Sequence, residues 1–119
     1  MKNFKQLLVW QKAMTIVGKT YHLVSGLPPT EKYGLASQMT RAAISVAANI
    51  AEGSSRRSEK DYFRFLEIAL GSLFELETLI HASAQAGHKL PDEEVDDLLN
   101  QIEQEQKMLT AFMDKLNKS

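Results

Sequence analysis

Arg56 and Arg57 stand side by side in the run Ser54-Ser55-Arg56-Arg57-Ser58, and Lys60 and Arg64 follow at steps of three and four. Two adjacent guanidinium groups beside small residues, just ahead of a predicted helix, suit one chemistry above others. They can hold a phosphate, because arginine forks and the free amides of a helix N-terminus both favour an anion. Lys60 and Arg64 carry the positive patch one turn further. The same turn also reads as a solvated basic surface. Tyr62, Phe63 and Phe65 interleave with these cations as the aromatics of a base-stacking platform would, yet all three fit the apolar lines of their own helix equally well.

No other constellation points to a reaction. His22, His81 and His88 have no carboxylate or second histidine at metal-ligand spacing, apart from one Glu77-x-x-x-His81 pair. Di-iron bundles use Glu-x-x-His from two helices, and this sequence contains none. There are no cysteines, so neither a thiolate metal site nor a disulfide is available. A glycine-rich phosphate loop and a Gly-x-Ser-x-Gly elbow are both missing. The expectation is a protein without catalytic residues, metal or cofactor.

A second polar grouping lies earlier in the chain. Gln38, Arg41, Ser45, Asn49 and Glu52 are spaced three, four, four and three apart, with alanines and β-branched residues between them. On a helix that spacing places all five on one face, and the small residues let neighbouring helices approach closely. Glu52 falls near the helix C-terminus, where the dipole disfavours an anion. A cation such as Arg41, Arg56, Arg57 or Arg64 would compensate it. The stripe reads either as a polar network at a subunit junction or as a solvated helix surface.

Four helices carry these residues, and no segment alternates as a strand. The first is predicted over 3–23, with an apolar line of Leu7, Trp10, Met14, Val17, Tyr21 and Val24. Gly26, Pro28 and Pro29 stop it. Thr30 can cap a second helix, which Glu31 favours near its positive end and which runs to 51 or 52 on Leu35, Met39, Ala42, Ala43, Val46 and Ile50. After the break 53–58, Ser58 and Asp61 resemble a capping box for a third helix over 59–86. Gly87 and Pro91 end it, and Asp92 can cap a fourth helix reaching 116. The acidic run 92–97 suits that helix start. Val95, Leu98, Leu99, Ile102, Leu109, Phe112, Met113 and Leu116 line the fourth helix, with an interruption at Glu105-Gln106. Short connections favour antiparallel neighbours, so the expected fold is all-α: one antiparallel up-down-up-down four-helix bundle domain spanning 1–119.

The third helix has more apolar surface than one core needs. Tyr62, Leu66, Ala69, Leu73, Leu76 and Ile80 form one line, Phe65, Ile68, Ser72 and Leu79 a second, and Phe63, Leu70 and Phe74 a third. An amphipathic surface helix keeps one stripe. The surplus implies burial against another copy, with Phe65, Ile68 and Leu79 as interface residues.

The 119 residues carry a net charge of −1, and the pI is near 6.3. The charge is unevenly spread: residues 1–60 hold nine Lys or Arg against three Glu, and residues 61–119 hold five against twelve Asp or Glu. That asymmetry marks either a basic face for an anionic partner or basic and acidic helices packed side by side. No apolar run approaches the ~20 residues of a membrane span, and the N-terminal apolar run is too short for a signal peptide. A cytoplasmic protein with no membrane partner is expected.

Several motifs together resemble one family. They are Phe4-Lys5-Gln6-Leu7 with Trp10-Gln11-Lys12-Ala13-Met14, then Tyr33-Gly34-Leu35-Ala36-Ser37-Gln38-Met39, then Arg41-Ala42-Ala43-Ile44-Ser45 with Asn49-Ile50-Ala51-Glu52-Gly53-Ser54. Arg56 to Tyr62, Arg64-Phe65-Leu66, Ala69 to Leu73 and Glu75 to Thr78 continue the match in order, from about residue 4 to residue 90. The chain resembles the four-helix bundle proteins encoded in intervening sequences of bacterial 23S rRNA genes, also labelled S23 ribosomal proteins. The resemblance implies a ring-like homopentamer. The family includes accessory proteins of diversity-generating retroelements, which are basic and associate with nucleic acid and a reverse transcriptase. By position it implies that Arg41, Arg56, Arg57, Lys60 and Arg64 face RNA or DNA. The near-neutral pI departs from those basic relatives. A protein-interaction scaffold that never touches nucleic acid is the alternative reading.

Overall fold

The computed structural model describes residues 3–117. Four helices account for most of them: α1 (Leu8–Val24), α2 (Leu35–Ser54), α3 (Glu59–Gln85) and α4 (Asp92–Asn117). Short 3-10 turns at Phe4–Gln6 and Pro29–Glu31 precede α1 and α2. α1 packs on α2 and α4, α3 packs on α2 and α4, and the diagonal pairs do not meet among the described residues. The result is a square up-down bundle of 46 × 23 × 21 Å, as the short connections require.

The helix ends show which local signals prevailed. The first helix does not run unbroken from residue 3. Asn3 Oδ1 accepts from Lys5 N at 3.2 Å and closes a 3-10 turn, and Leu7 is extended (φ −72°, ψ 128°) before α1 begins. The second starts four residues later than Thr30 suggested. Pro29 opens a 3-10 turn instead, and the Glu31 carboxylate accepts from Leu35 N at 3.2 Å. Glu31 thus does the capping assigned to Thr30. At its other end α2 runs through Gly53 to Ser54, where the hydroxyls of Ser54 and Ser55 donate back to the carbonyls of Ala51 and Glu52 at 2.7 and 2.6 Å. The cap of α3 is the predicted one: Ser58 Oγ accepts from Asp61 N at 3.1 Å. Gly87 (φ 88°) supplies the left-handed residue that ends α3, and Asp92, Glu93 and Glu94 occupy the first turn of α4.

The core lies along the bundle axis. α3 contributes the expected line from Tyr62 to Ile80, and α2 contributes Met39, Ala42, Ala43, Val46, Ala47 and Ile50. α1 is rotated relative to expectation. Its buried line is Val9, Ala13, Ile16, Thr20 and Leu23, while Met14 and Tyr21 from the predicted line are 43% and 51% exposed. Small side chains at Ala13 and Thr20 let α1 settle close to its neighbours, and Thr20 satisfies its hydroxyl on Ile16 O at 2.7 Å. α4 also differs at one position. Glu105, read as a break in the apolar line, is fully buried within it.

Candidate functional site

The tight turn between α2 and α3 builds a corner from close helix contact. A Cβ at position 53 would lie 2.8 Å from Phe65 Cβ and 3.0 Å from Tyr62 Cδ1. Glycine is therefore what lets the end of α2 rest on the start of α3. Four residues, Ser55 to Ser58, then reverse the chain. Arg56 N donates to Gly53 O at 3.0 Å, and its guanidinium lies over the Phe65 ring, 4.6 Å from the centroid. Arg56, Arg57, Lys60 and Arg64 are all exposed, and none makes an ion pair among the described residues. The corner brings these four together at the positive end of the α3 dipole. Glu59 and Asp61 share that first turn, so the local field is mixed in sign.

Arg41 lies elsewhere. It is exposed on α2, twelve residues before Gly53, hence about 18 Å along the helix axis at 1.5 Å per residue. The five cations carried by the resemblance therefore form one cluster of four and one outlier on a different level of the bundle.

The polar stripe on α2 divides in the same way. Ser45 and Asn49 turn toward α3, where Asn49 Nδ2 donates to Ser45 O and Oγ at 2.8 and 3.0 Å. Ser72 Oγ of α3 donates to Ser45 Oγ at 2.9 Å. This is a small internal seam between two helices of one subunit. Gln38, Arg41 and Glu52 remain exposed, and Glu52 forms no ion pair among the described residues. Phe65 and Leu79 are half-buried, and Ile68 is 47% exposed.

Other large apolar groups also stay unburied, on different faces of the bundle. Phe74 is 54% exposed and Ile44 44%. Between α1 and α2 an apolar groove is lined by Trp10, Met14, Val17, Ile44, Ala48 and Ala51. Phe4 closes one end and stacks edge-on against Trp10 at 5.2 Å.

Two histidines have partners the sequence did not reveal. His88 Nε2 lies 2.8 Å from Glu31 Oε2 and ties the α3–α4 loop to the turn before α2, and His22 Nε2 lies 2.5 Å from Glu94 Oε1. The hydrogen bond from His88, with the Leu35 amide second, holds the Glu31 carboxyl below the usual range. Separations of 57 and 72 residues leave no spacing signal for either pair. Among the described residues no group of three or more His, Cys, Asp or Glu is placed to hold a metal ion. No helix among them is long and apolar enough to cross a membrane.

The model of the 23S rRNA-intervening sequence protein family matches residues 5–111. No curated protein matches the chain. Among solved structures, a protein of unknown function from the S23 ribosomal protein family of Bacteroides thetaiotaomicron superposes with a TM-score of 0.80. The match covers 89% of this chain and 98% of that one, at 21% identity. At that identity the likeness establishes a shared fold.

Proposed function

The chain belongs to the family of 23S rRNA-intervening sequence proteins, and from that membership we propose a non-catalytic, cytoplasmic binding subunit that self-associates and holds RNA or DNA phosphates at its α2–α3 corner. The observation that carries the reading is the cluster of Arg56, Arg57, Lys60 and Arg64. All four are exposed around the α2–α3 turn and the first two turns of α3, and among the described residues none is committed to an ion pair. Backbone affinity follows the number of phosphates neutralised, and four cations per subunit is a small number. Self-association supplies the rest, since a ring repeats the patch and each further contact becomes intramolecular.

Support for self-association comes from the surface of α1 to α3. Met14, Ile44, Ile68 and Phe74 are 43% to 54% exposed, and the α1–α2 groove is almost wholly apolar in its lining. Monomers seldom leave contiguous apolar patches open. The homopentamer implied by the resemblance remains the expected ring.

The test is fluorescence anisotropy of labelled RNA and single-stranded DNA against protein of known mass, at low salt and at ~150 mM, where the Debye length is about 8 Å. Binding at micromolar or tighter affinity that survives ~150 mM salt supports the reading. Absence of binding at both salts rejects the nucleic-acid role. The apolar groove then favours the second reading, a scaffold that binds a protein partner.

A further inference from the structure

The core stripe of α4 contains an ionisable group at its centre. Leu98, Ile102, Glu105, Leu109 and Met113 are all buried along one face, and Glu105 is 0% exposed. Neither of its carboxylate oxygens meets a hydrogen-bond donor among the described residues. A charged, unpartnered carboxylate in such a place costs far more than a neutral acid. The group therefore keeps its proton: burial pushes its pKa up to about 8, against the opposing pull of the Lys12 charge.

The neighbouring charges relieve it only in part. From α1, Lys12 supplies the charge that acts on Glu105, and the Lys12 ammonium is bonded to Gln104 Oε1. From α3, Glu77 sits beside the next residue of α4, with its Oε1 accepting from Gln106 Nε2 at 2.9 Å. On α4 itself, Glu103 and Lys107 pair with each other at 3.3 Å. Among the described residues α2 lies diagonally across the bundle from α4, with no Cα pair within 8 Å.

The attachment of α4 is otherwise light. Its interfaces with α1 and α3 are the two least extensive of the four helix pairs. Along its N-terminal half the rim contacts to α1 are polar: Lys12 to Gln104, Lys19 to Asp97 at 2.6 Å, and His22 to Glu94 at 2.5 Å. The last is an ion pair only while the ring carries its second proton. Loss of the Glu105 proton as pH rises creates a charge in the seam, which acts against docking.

We propose that Glu105 is a proton-gated latch: its protonated carboxyl holds α4 in the bundle, and loss of that proton releases α4 as a local unit while α1, α2 and α3 stay folded. A carboxylate regains water by moving its helix more readily than by drawing Lys12 from Gln104 into the core, because an ion pair in that seam desolvates both partners. Release uncovers the core-facing sides of α1 and α3.

Segment-resolved hydrogen exchange on the full chain, corrected for the intrinsic pH dependence of amide exchange, tests this directly. Between pH 6 and pH 9, protection across 98–113 falls at least tenfold and ends well below that of the α2 and α3 core. Glu105→Gln, which retains the shape without titrating, flattens the α4 response. The latch is overturned by α4 protection that ignores pH, by α4 protection that stays level with that of α2 and α3 throughout, or by an undiminished response in Glu105→Gln. Should that variant fail to fold, Glu105→Leu replaces it under the same criteria, and the wild-type comparison of α4 with α2 and α3 decides by itself.

Discussion

The guanidinium of Arg56 is stacked on the ring of Phe65, 4.6 Å from its centroid, so the first cation of the basic corner is anchored to the helix that follows it. An exposed cation–π contact contributes about 0.5–1 kcal/mol. Its larger consequence is positional, because an anchored arginine loses less side-chain freedom when it meets a phosphate.

Reversing the charge of the corner therefore separates binding from folding. Arg56→Glu/Arg57→Glu is expected to lower RNA or DNA affinity and to reduce the salt slope by about two phosphate contacts. Arg57 has no stacking partner among the described residues, so Arg57→Glu alone lowers affinity with its urea midpoint unchanged. The double variant loses about 0.5–1 kcal/mol through the broken stack. Anisotropy titrations across salt, paired with urea melts, read both quantities. A slope unaltered by the double change places the contact away from this corner.

Glycine substitutions at two helical sites are expected to move stability in opposite directions. Gly53→Ala drives a Cβ to 2.8 Å from Phe65 Cβ, an atom fixed to the α3 backbone. Overpacking of that kind costs about 1–3 kcal/mol. At Gly18 nothing lies within 4 Å of the added carbon, so Gly18→Ala gains the helix propensity difference of about 0.5–1 kcal/mol. Thermal melts of the two variants give the signs. A stabilised Gly53→Ala would mean that α2 and α3 separate at little cost.

These two glycines also mark where the sequence was legible. The four helices, their order and the core lines of α2 and α3 follow from periodicity: Met39, Val46 and Ile50 have no competing large apolar face, and Leu66, Leu73 and Leu76 belong to the longest of the three apolar lines on α3. α1 offers two such lines. The larger side chains of Trp10, Met14 and Tyr21 outweigh Ala13 and Thr20 in apolar area, yet the small residues permit the closer approach and take the core. Gly53 read as a terminator, since its role depends on Phe65 across a turn. Glu105 continues the α4 stripe at steps of three and four from Ile102 to Leu109, but charge argued against burial. The clustered Arg56, Arg57, Lys60 and Arg64 were legible through adjacency. The distance of Arg41 from them was not, because a family motif carries position in sequence and not level along a bundle.

The α2–α3 seam is expected to behave as a coupled unit. Ser45 Oγ accepts from both Asn49 and Ser72, and Ser72 is 8% exposed. Ser45→Ala leaves Ser72 Oγ short of its acceptor, while Asn49 Nδ2 keeps Ser45 O at 2.8 Å, and costs about 1–3 kcal/mol. Adding Ser72→Ala removes the stranded hydroxyl, so the double variant is less destabilised than the sum of the singles by about 0.5–1.5 kcal/mol. Urea midpoints over the full cycle measure the coupling, and strict additivity would show that the 2.9 Å contact contributes nothing net.

Self-association is expected to depend on the groove between α1 and α2. Ile44→Glu places a charge among Trp10, Met14, Val17 and Ala48 at a site already 44% exposed, so the isolated subunit tolerates it. Native mass spectrometry or light scattering should show the variant at lower mass than the wild type with an equal helical signal. Unchanged assembly would move the interface to the exposed Ile68 face of α3.

Global stability is expected to peak on the acid side of neutrality, because ionisable groups at the two ends of the pH scale act with opposite sign. Glu105 has its folded pKa raised from 4.5 to about 8 by burial. Its contribution is fully present below the unfolded value and is lost as pH rises through the folded one. Glu31 and Asp97 are held below the usual range, first by the hydrogen bonds from His88 and Lys19 respectively. Their contributions are present above the unfolded values and are lost as pH falls through the folded ones. Urea midpoints measured from pH 3 to pH 9 should therefore rise and then decline. The decline amounts to a few kcal/mol, bounded by about 1.4 kcal/mol for each pH step separating the folded from the unfolded pKa and reduced by any local release of α4. Glu105→Leu removes the alkaline decline and raises the midpoint at pH 8, since a packed apolar side chain needs no proton to stay buried. Lys19→Ala and His88→Ala leave that decline in place and weaken the acid arm. A wild-type midpoint that is flat from pH 5 to pH 9 would mean that the Glu105 carboxyl reaches solvent or a donor in solution, and the burial argument would fall with it.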